Sequence, residues 1–367
     1  MSVTENRTVT TQSARNSILR CFQAKLPVFL WGPPGIGKSE LIAGITEELG
    51  GLMIDLRMPL LEPTDLRGIP FYNKENNKMD WAPPIDLPDE ETASQYPLVV
   101  LFLDEMNAAA PAVQASGYQL VLNRQVGKYK LPKNVVIVAA GNRESDKGVT
   151  YRMPTPLANR FIHQELRVDF PSWEKWAVVN RVHKDVVGYI SFAKQDLFDF
   201  DPRSSSRSFA TPRSWTFVSR FLDDESISDD TLTDLIAGTV GEGLAVKFMA
   251  HRKVAGKMPK PEDILSGKVK ELKTKDISAM YSLTVSMCYE LQDSFKTLGA
   301  ANKLDDWHKQ SECFLRFMMD NFTTELVVMG ARVALTTYNL KLLPGKLPSF
   351  DEFHQRFGKY VIAAAAK

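Results

Sequence analysis

The stretch that most constrains this chain is VFLWGPPGIGKSELIAGITEEL, residues 28–49. A short, wholly apolar run leads into a glycine-rich turn, and a helical pattern follows. Gly35 and Gly37 let the backbone curl so that its N–H groups face inward around phosphate. The helix starting near Lys38 adds the positive end of its dipole. At this spacing Lys38 is expected to reach β- and γ-phosphates, and the Ser39 hydroxyl to ligate Mg²⁺. Nucleotide contact is therefore assigned to Gly32, Pro33, Pro34, Gly35, Ile36 and Gly37 together with Lys38 and Ser39. A turn of this kind works only between a buried strand and a helix, so the chain must contain an α/β layer.

The rest of the first half supplies that layer. LMIDL at 52–56, LVVLFLD at 98–104 and NVVIVAAGN at 134–142 read as further buried strands, and 163–170 carries a fifth. Short all-apolar strands alternating with helices indicate a parallel sheet covered on both faces. SARNSILRCFQA, residues 13–24, fits an amphipathic helix, and another runs through PAVQASGYQLVLN. The strand VVLFLD ends in two acids. Asp104 falls at the sheet's carboxyl end, where it can hold Mg²⁺, and Glu105 is the candidate base for the attacking water. Residues 57–90 interrupt the pattern with Pro, Asn and charge; hairpin pieces lie around Gly68–Phe71 and Met79–Trp81, with KENNK as the turn.

From Pro171 onward the pattern is helical: SWEKWAVVNRV, RSWTFVSRFL and DLIAGTVGEGLAVKFMAHRKV. Met280, Leu283, Met287 and Leu291 recur at helical spacing in the tail and read as core. The 367 residues suffice for two or three domains, and 45 basic against 44 acidic residues create no global field for nucleic acid or anionic lipid. Cys21, Cys288 and Cys313 lack metal-like spacing and read as small buried hydrophobes in a reducing compartment. His163, His183, His251, His308 and His354 are read as structural or surface residues. The polar N-terminus lacks a signal-peptide core, and LVVLFL is too short to span a bilayer, which together point to a cytoplasmic protein, of a cell or of a virus.

Six ordered pieces resemble the AAA+ ATPases, and within them the MoxR-type branch. They are GPPGIGKS, EPTDLRG, LFLDEMNAAAPAVQ, LNRQVG, AAGNRESDKGVTYRMPTPLANRF and ATPRS, spread over residues 15–260. The resemblance implies Asn142 as the sensor that helps to place the lytic water, a role its amide suits. It implies Arg160 as the arginine finger for a neighbour's ATP, and Arg213, in the first turn of a helix opened by Pro212, as the second sensor. Arg203 and Arg207 are rivals for that last role. Arg143 stands where the family usually has Pro, so Arg143 and Arg152 also compete for cationic roles.

The implied architecture is a P-loop αβα sandwich over residues 1–170, a small helical lid over 171–270 and a helical C-terminal extension over 271–367. The implied activity is Mg²⁺-dependent ATP hydrolysis in a ring, expected to be a hexamer, since Arg160 acts across a subunit boundary. Residues 57–90 have the position of the branch's helix-2 insert, and 125–132 that of the hairpin before the sensor strand. Lys128, Tyr129 and Lys130 are either pore residues or an ordinary solvated turn. The branch implies remodelling of a protein client, with a partner carrying a von Willebrand factor A domain; a nucleic-acid translocase is the alternative, kept open by KYK. No membrane partner is expected.

Overall fold

Strands apolar at every position must be covered on both faces, and the architecture follows from that demand. The computed structural model describes residues 7–126, 129–146, 148, 150–224, 226–274 and 276–365. The chain divides into two units: the first runs to Asp169 and includes Asp201–Ser205, and the second holds Phe170–Phe200 and the residues from Ser206 on.

In chain order the first unit contains β1 (Thr8–Val9), α1 (Thr11–Ala24), β2 (Val28–Trp31), α2 (Lys38–Glu48), β3 (Leu52–Arg57) and α3 (Pro63–Arg67). It continues with β4 (Ile69–Asn73), β5 (Lys78–Ala82), α4 (Glu90–Ser94), β6 (Val99–Asp104) and α5 (Pro111–Asn123). β7 (Gln125–Val126), β8 (Tyr129–Lys130), β9 (Val135–Gly141), α6 (Thr155–Ala158) and β10 (Ile162–Leu166) complete it. Six strands form one sheet in the order β1-β10-β2-β9-β6-β3, every neighbouring pair parallel. The expected αβα sandwich is thus present.

Side chains alternate across the sheet with the strand period of two. Val28 and Leu30 face Ala14 and Ile18 of α1 and Ile42 and Ile45 of α2. Phe29 points the other way, into a cluster with Leu101, Leu103, and Val113 and Leu120 of α5. Burying each such large side chain contributes about 1.5–3 kcal/mol. Because β9 returns to lie between β2 and β6, the chain changes direction beside β2, and the crevice at the carboxyl ends there is where ligands of open α/β sheets bind.

The two inserted hairpins lie outside this sheet. β4 and β5 pair antiparallel, with Asn73 opposite Lys78 closing the turn. Ile69 is 65% exposed, Met79 62% and Ile85, just beyond β5, 97%, so this hairpin is not core. β7 and β8 form the second antiparallel pair. The fifth strand is shorter than the sequence suggests: β10 stops at Leu166, and Asp169 instead accepts a hydrogen bond from the Thr11 N–H (3.2 Å) at the start of α1.

The second unit is helical: α7 (Phe170–Val179), α8 (Lys184–Phe192), α9 (Pro212–Leu222), α10 (Asp229–Val240), α11 (Glu242–Ala255), α12 (Pro261–Leu265), α13 (Ile277–Ala300), α14 (Leu304–Asn321), α15 (Thr324–Arg332) and α16 (Phe350–Ala365). The run expected as one helix over 234–254 is two, because Gly241 adopts φ 100° and breaks it. Met280, Leu283, Met287 and Leu291 are buried as expected. α13 crosses α8 at Gly188, where a Cβ would stand 2.3 Å from Ser282 Oγ; only glycine permits that approach. A π-helical turn, Val333–Thr337, follows α15.

Candidate nucleotide site

The glycine-rich turn joins β2 to α2 at the carboxyl edge of the sheet. Gly35 (φ 75°) and Gly37 (φ 90°) both occupy the left-handed region, and Gly37 is the N-cap of α2. Since a side chain is strained there, the loop depends on glycine at both positions. Lys38 opens α2. Its Nζ donates to the carbonyls of Gly32 (2.7 Å) and Pro33 (3.1 Å) and to Asn142 Oδ1 (3.0 Å). The ammonium and the amide, 104 residues apart, therefore meet over the loop.

Ser39 Oγ donates to Asp104 Oδ2 at 3.3 Å. A hydroxyl and a carboxylate side by side are hard oxygen donors of the kind magnesium takes, so the residues present fit that ion. Asp55, on the neighbouring strand β3, has its carboxyl raised above the usual range by burial and then by the charge of Asp104, with Arg57 opposing. Glu105 follows Asp104 in a left-handed conformation (φ 53°), which turns the chain sharply out of β6.

Two features here were not apparent from the sequence. Asn107 is only 2% exposed, and its Nδ2 donates to the Asn142 carbonyl at 2.7 Å. A Cβ on Gly141 would fall 2.2 Å from Asn107 Oδ1, so the glycine makes room for the amide that fixes Asn142. An Asn just past the acidic pair was the available signal. The second feature is an aromatic tie. Trp31, the last residue of β2, stacks on Phe29 (4.2 Å between centroids), and its Nε1–H donates to His163 Nδ1 at 2.8 Å. His163 Nε2–H in turn donates to the Ala158 carbonyl (2.8 Å), two residues from Arg160. The strand that enters the phosphate loop is thereby linked to the turn that carries Arg160.

The cations separate clearly. Arg143 makes a forked contact with Asp146 (2.7 Å at Nη2) and reaches Glu165 (3.3 Å), and those carboxylates hold its charge firmly. Arg203 pairs with Asp201. Arg152 and Arg160 are exposed, and Arg160 follows α6. In the helical unit Arg213 is exposed in the first turn of α9, after Pro212, with Thr211 and Ser214 forming a capping box; Arg207 is exposed upstream. In the second hairpin Tyr129 is half-buried and donates to the Pro88 carbonyl, and Lys130 is exposed; Lys128 lies outside the described residues. Burial and the nearby Asp89 and Glu90 raise the Tyr129 hydroxyl's pKa, which keeps it a donor.

Among solved structures the chain is similar to a Cytophaga hutchinsonii protein provisionally named an ATPase (15% identity, TM-score 0.35, covering 90% of this chain and 82% of that one). It is also similar to a variant of Thermotoga maritima RuvB (19%, TM-score 0.39, covering 70% and 75%) and to the Thermotoga maritima RuvB Holliday junction branch migration motor (18%, 0.36, covering 84% and 86%). At these TM-scores none of them bears on what this chain acts upon. The sequence itself is more telling. Residues 28–166 match the family model of the ATPase family associated with various cellular activities (AAA). The match begins at β2 and ends with β10, enclosing the loop, the acidic strand end and Asn142, so it is the sheet unit that is similar to this family.

Proposed function

We propose that the chain hydrolyses ATP with Mg²⁺ and uses the reaction to remodel a protein client. The observation that carries the first half is the meeting of four side chains at one edge: Lys38 with Asn142, and Ser39 with Asp104. The loop from Gly32 to Gly37 cradles the phosphates, Lys38 neutralises the β- and γ-oxygens, and Ser39 and Asp104 hold the ion. The ion supplies charge neutralisation across those oxygens. Asn142, fixed from behind by Asn107, orients the water. Glu105 takes the water's proton as its oxygen bonds to the γ-phosphorus and the bond to the bridging oxygen breaks.

Arg160, exposed on its turn, is offered to a neighbouring subunit's ATP, which makes a ring, a hexamer by resemblance, the working form. Arg213 senses nucleotide from a helical lid, residues 171–270, and 271–367 extend it. A protein client is favoured over nucleic acid because the β4–β5 hairpin presents apolar side chains, Ile69, Phe71, Tyr72 and Met79, rather than a row of cations. A partner carrying a von Willebrand factor A domain is implied by the resemblance to the MoxR-type branch. Among the described residues no helix is long and apolar enough to cross a membrane.

The test is Glu105→Gln. ATP should still bind, with turnover reduced by roughly 10²–10⁴-fold, the usual worth of a general base; near-normal turnover would remove Glu105 from that role. The ATP-held variant, recovered from its native cell, should retain a protein after nuclease treatment. Recovery of nuclease-sensitive nucleic acid alone would instead favour a translocase.

A further inference from the structure

The helical unit carries a cavity that the ATPase reading does not use. It encloses about 650 Å³ between α8, α11, α12 and α13, within the ~300–1,000 Å³ typical of small-molecule sites. Its lining is cationic: Lys184 at the start of α8, Arg252 and Lys253 in the last turn of α11, and Lys260 before α12. The two lining carboxylates are both taken by one of these. Arg252 donates through Nε to Asp185 (3.1 Å) and lies 3.6 Å from Asp229. Lys184, Lys253 and Lys260 have no ion pair among the described residues, so positive charge among the lining side chains is in excess by two, with Glu290 of α13 outside the lining within reach of the Lys184 charge.

The α11 dipole accounts for part of this, since cations near a helix C-terminus are ordinarily favourable. It does not account for Lys260, which precedes the N-terminal turn of α12, and Lys184 sits at a helix N-terminus where a cation is unfavourable, offset only by the charge of Glu290. The polar wall is Ser282 and Ser286. His251, buried behind it, holds the Ser282 hydroxyl through Nε2 (2.7 Å), whereas Ser286 has no hydrogen-bond partner among the described residues. Met258 and Leu283 supply an apolar floor.

We propose that this cavity binds a small phosphate monoester with an apolar or aromatic body. A dianion matches the charge excess, whereas a single carboxylate would leave one cation uncompensated. Lysine ammonium groups are suitable point-charge partners for phosphate. The floor then takes the organic part, and Ser286 is free to donate to a phosphate oxygen. The inference does not rest on the ATPase reading, because every lining residue belongs to the helical unit.

The experiment is calorimetric titration of phenyl phosphate, and separately of inorganic phosphate, into the full chain at low salt. Saturating Mg·ADP is kept present so that the phosphate loop is occupied. Phenyl phosphate should bind one per chain, several-fold tighter than inorganic phosphate, and weaken as salt rises. Lys253→Glu with Lys260→Glu, both at exposed positions, should weaken it at least about tenfold while leaving ADP affinity and the melting temperature unchanged. Should the double variant unfold, Ser286→Asp, which adds a charge inside the cavity, replaces it. No binding, or binding equal in wild type and in a folded variant, overturns the site. Equal affinity for the two probes overturns the organic body.

Discussion

In the sheet unit, buried polar side chains include two at the carboxyl edge of the sheet: Asn107 behind Asn142, and Asp146 under Arg143. In the helical unit they lie between helices instead. Glu174 of α7 accepts from Ser191 of α8 and from Thr337 of the π-helical turn, and His251 of α11 bridges Ser278 and Ser282 of α13. The contrast has a physical origin. A parallel sheet satisfies its own backbone and leaves polar chemistry to its loops, whereas packed helices must accommodate any polar residue at the contact. Substitution at the sheet edge should therefore alter catalysis, and substitution between helices should alter stability and its pH dependence.

The largest expected effect is at the edge. Lys38→Ala should lower ATP hydrolysis by at least about 10²-fold, as loss of a charge-stabilising donor does, without shifting the helical unit's melting. A large loss of stability instead would show that the edge is structural. Gly141→Ala comes next. Its Cβ must displace Asn107, an overpacking worth about 1–3 kcal/mol, so turnover should fall with Asn142 while nucleotide binding persists; unchanged turnover would show that Asn107 does not position Asn142.

Gly188→Ala is the helical counterpart, forcing α8 from α13 at a similar ~1–3 kcal/mol. Here stability should fall and ADP affinity should hold, and loss of ADP binding would break the comparison. The smallest effect is Glu174→Gln. Burial raises the Glu174 carboxyl above its ordinary 4.5, with Thr337 and Arg332 opposing. The unfolded chain thus ionises first, and stability is lost as pH rises from the unfolded value toward the folded one. Glutamine removes that loss, so Tm should rise by a few degrees at pH 7.5 and hardly at all at pH 4. His183 and His251 act in the opposite sense. Burial lowers both from 6.5, so their contribution is lost as pH falls below the unfolded value. In Glu174→Gln, where the opposing carboxyl is gone, an unfolding profile flat between pH 5 and 7 would contradict them.

Much of this was legible in the chain. Val28–Trp31, Val99–Asp104 and Val135–Gly141 are apolar at nearly every position, which marks a strand buried on both faces, and the turn Gly32–Ser39 carries its chemistry in a local pattern. The β4–β5 hairpin was readable from KENNK between two extended segments. The break at Gly241 was not, because a lone glycine is tolerated inside many helices and only its φ shows that the chain turns. Nor was Arg143 separated from Arg160 as a cation, although its main partner, Asp146, is only three residues away; its second partner, Glu165, is distant.

The sequence by itself determined the parallel sheet, the phosphate loop and the placing of Asp104 and Glu105 at a strand end. These follow from periodicity and from residues within one turn of each other. Only the tertiary structure decided which distant side chains meet: Lys38 with Asn142, Trp31 with His163 across 132 residues, and Glu174 with Thr337 across 163. Such contacts depend on strand order and helix packing, where a shift of one residue turns a side chain to the other face, and no local run of sequence specifies them.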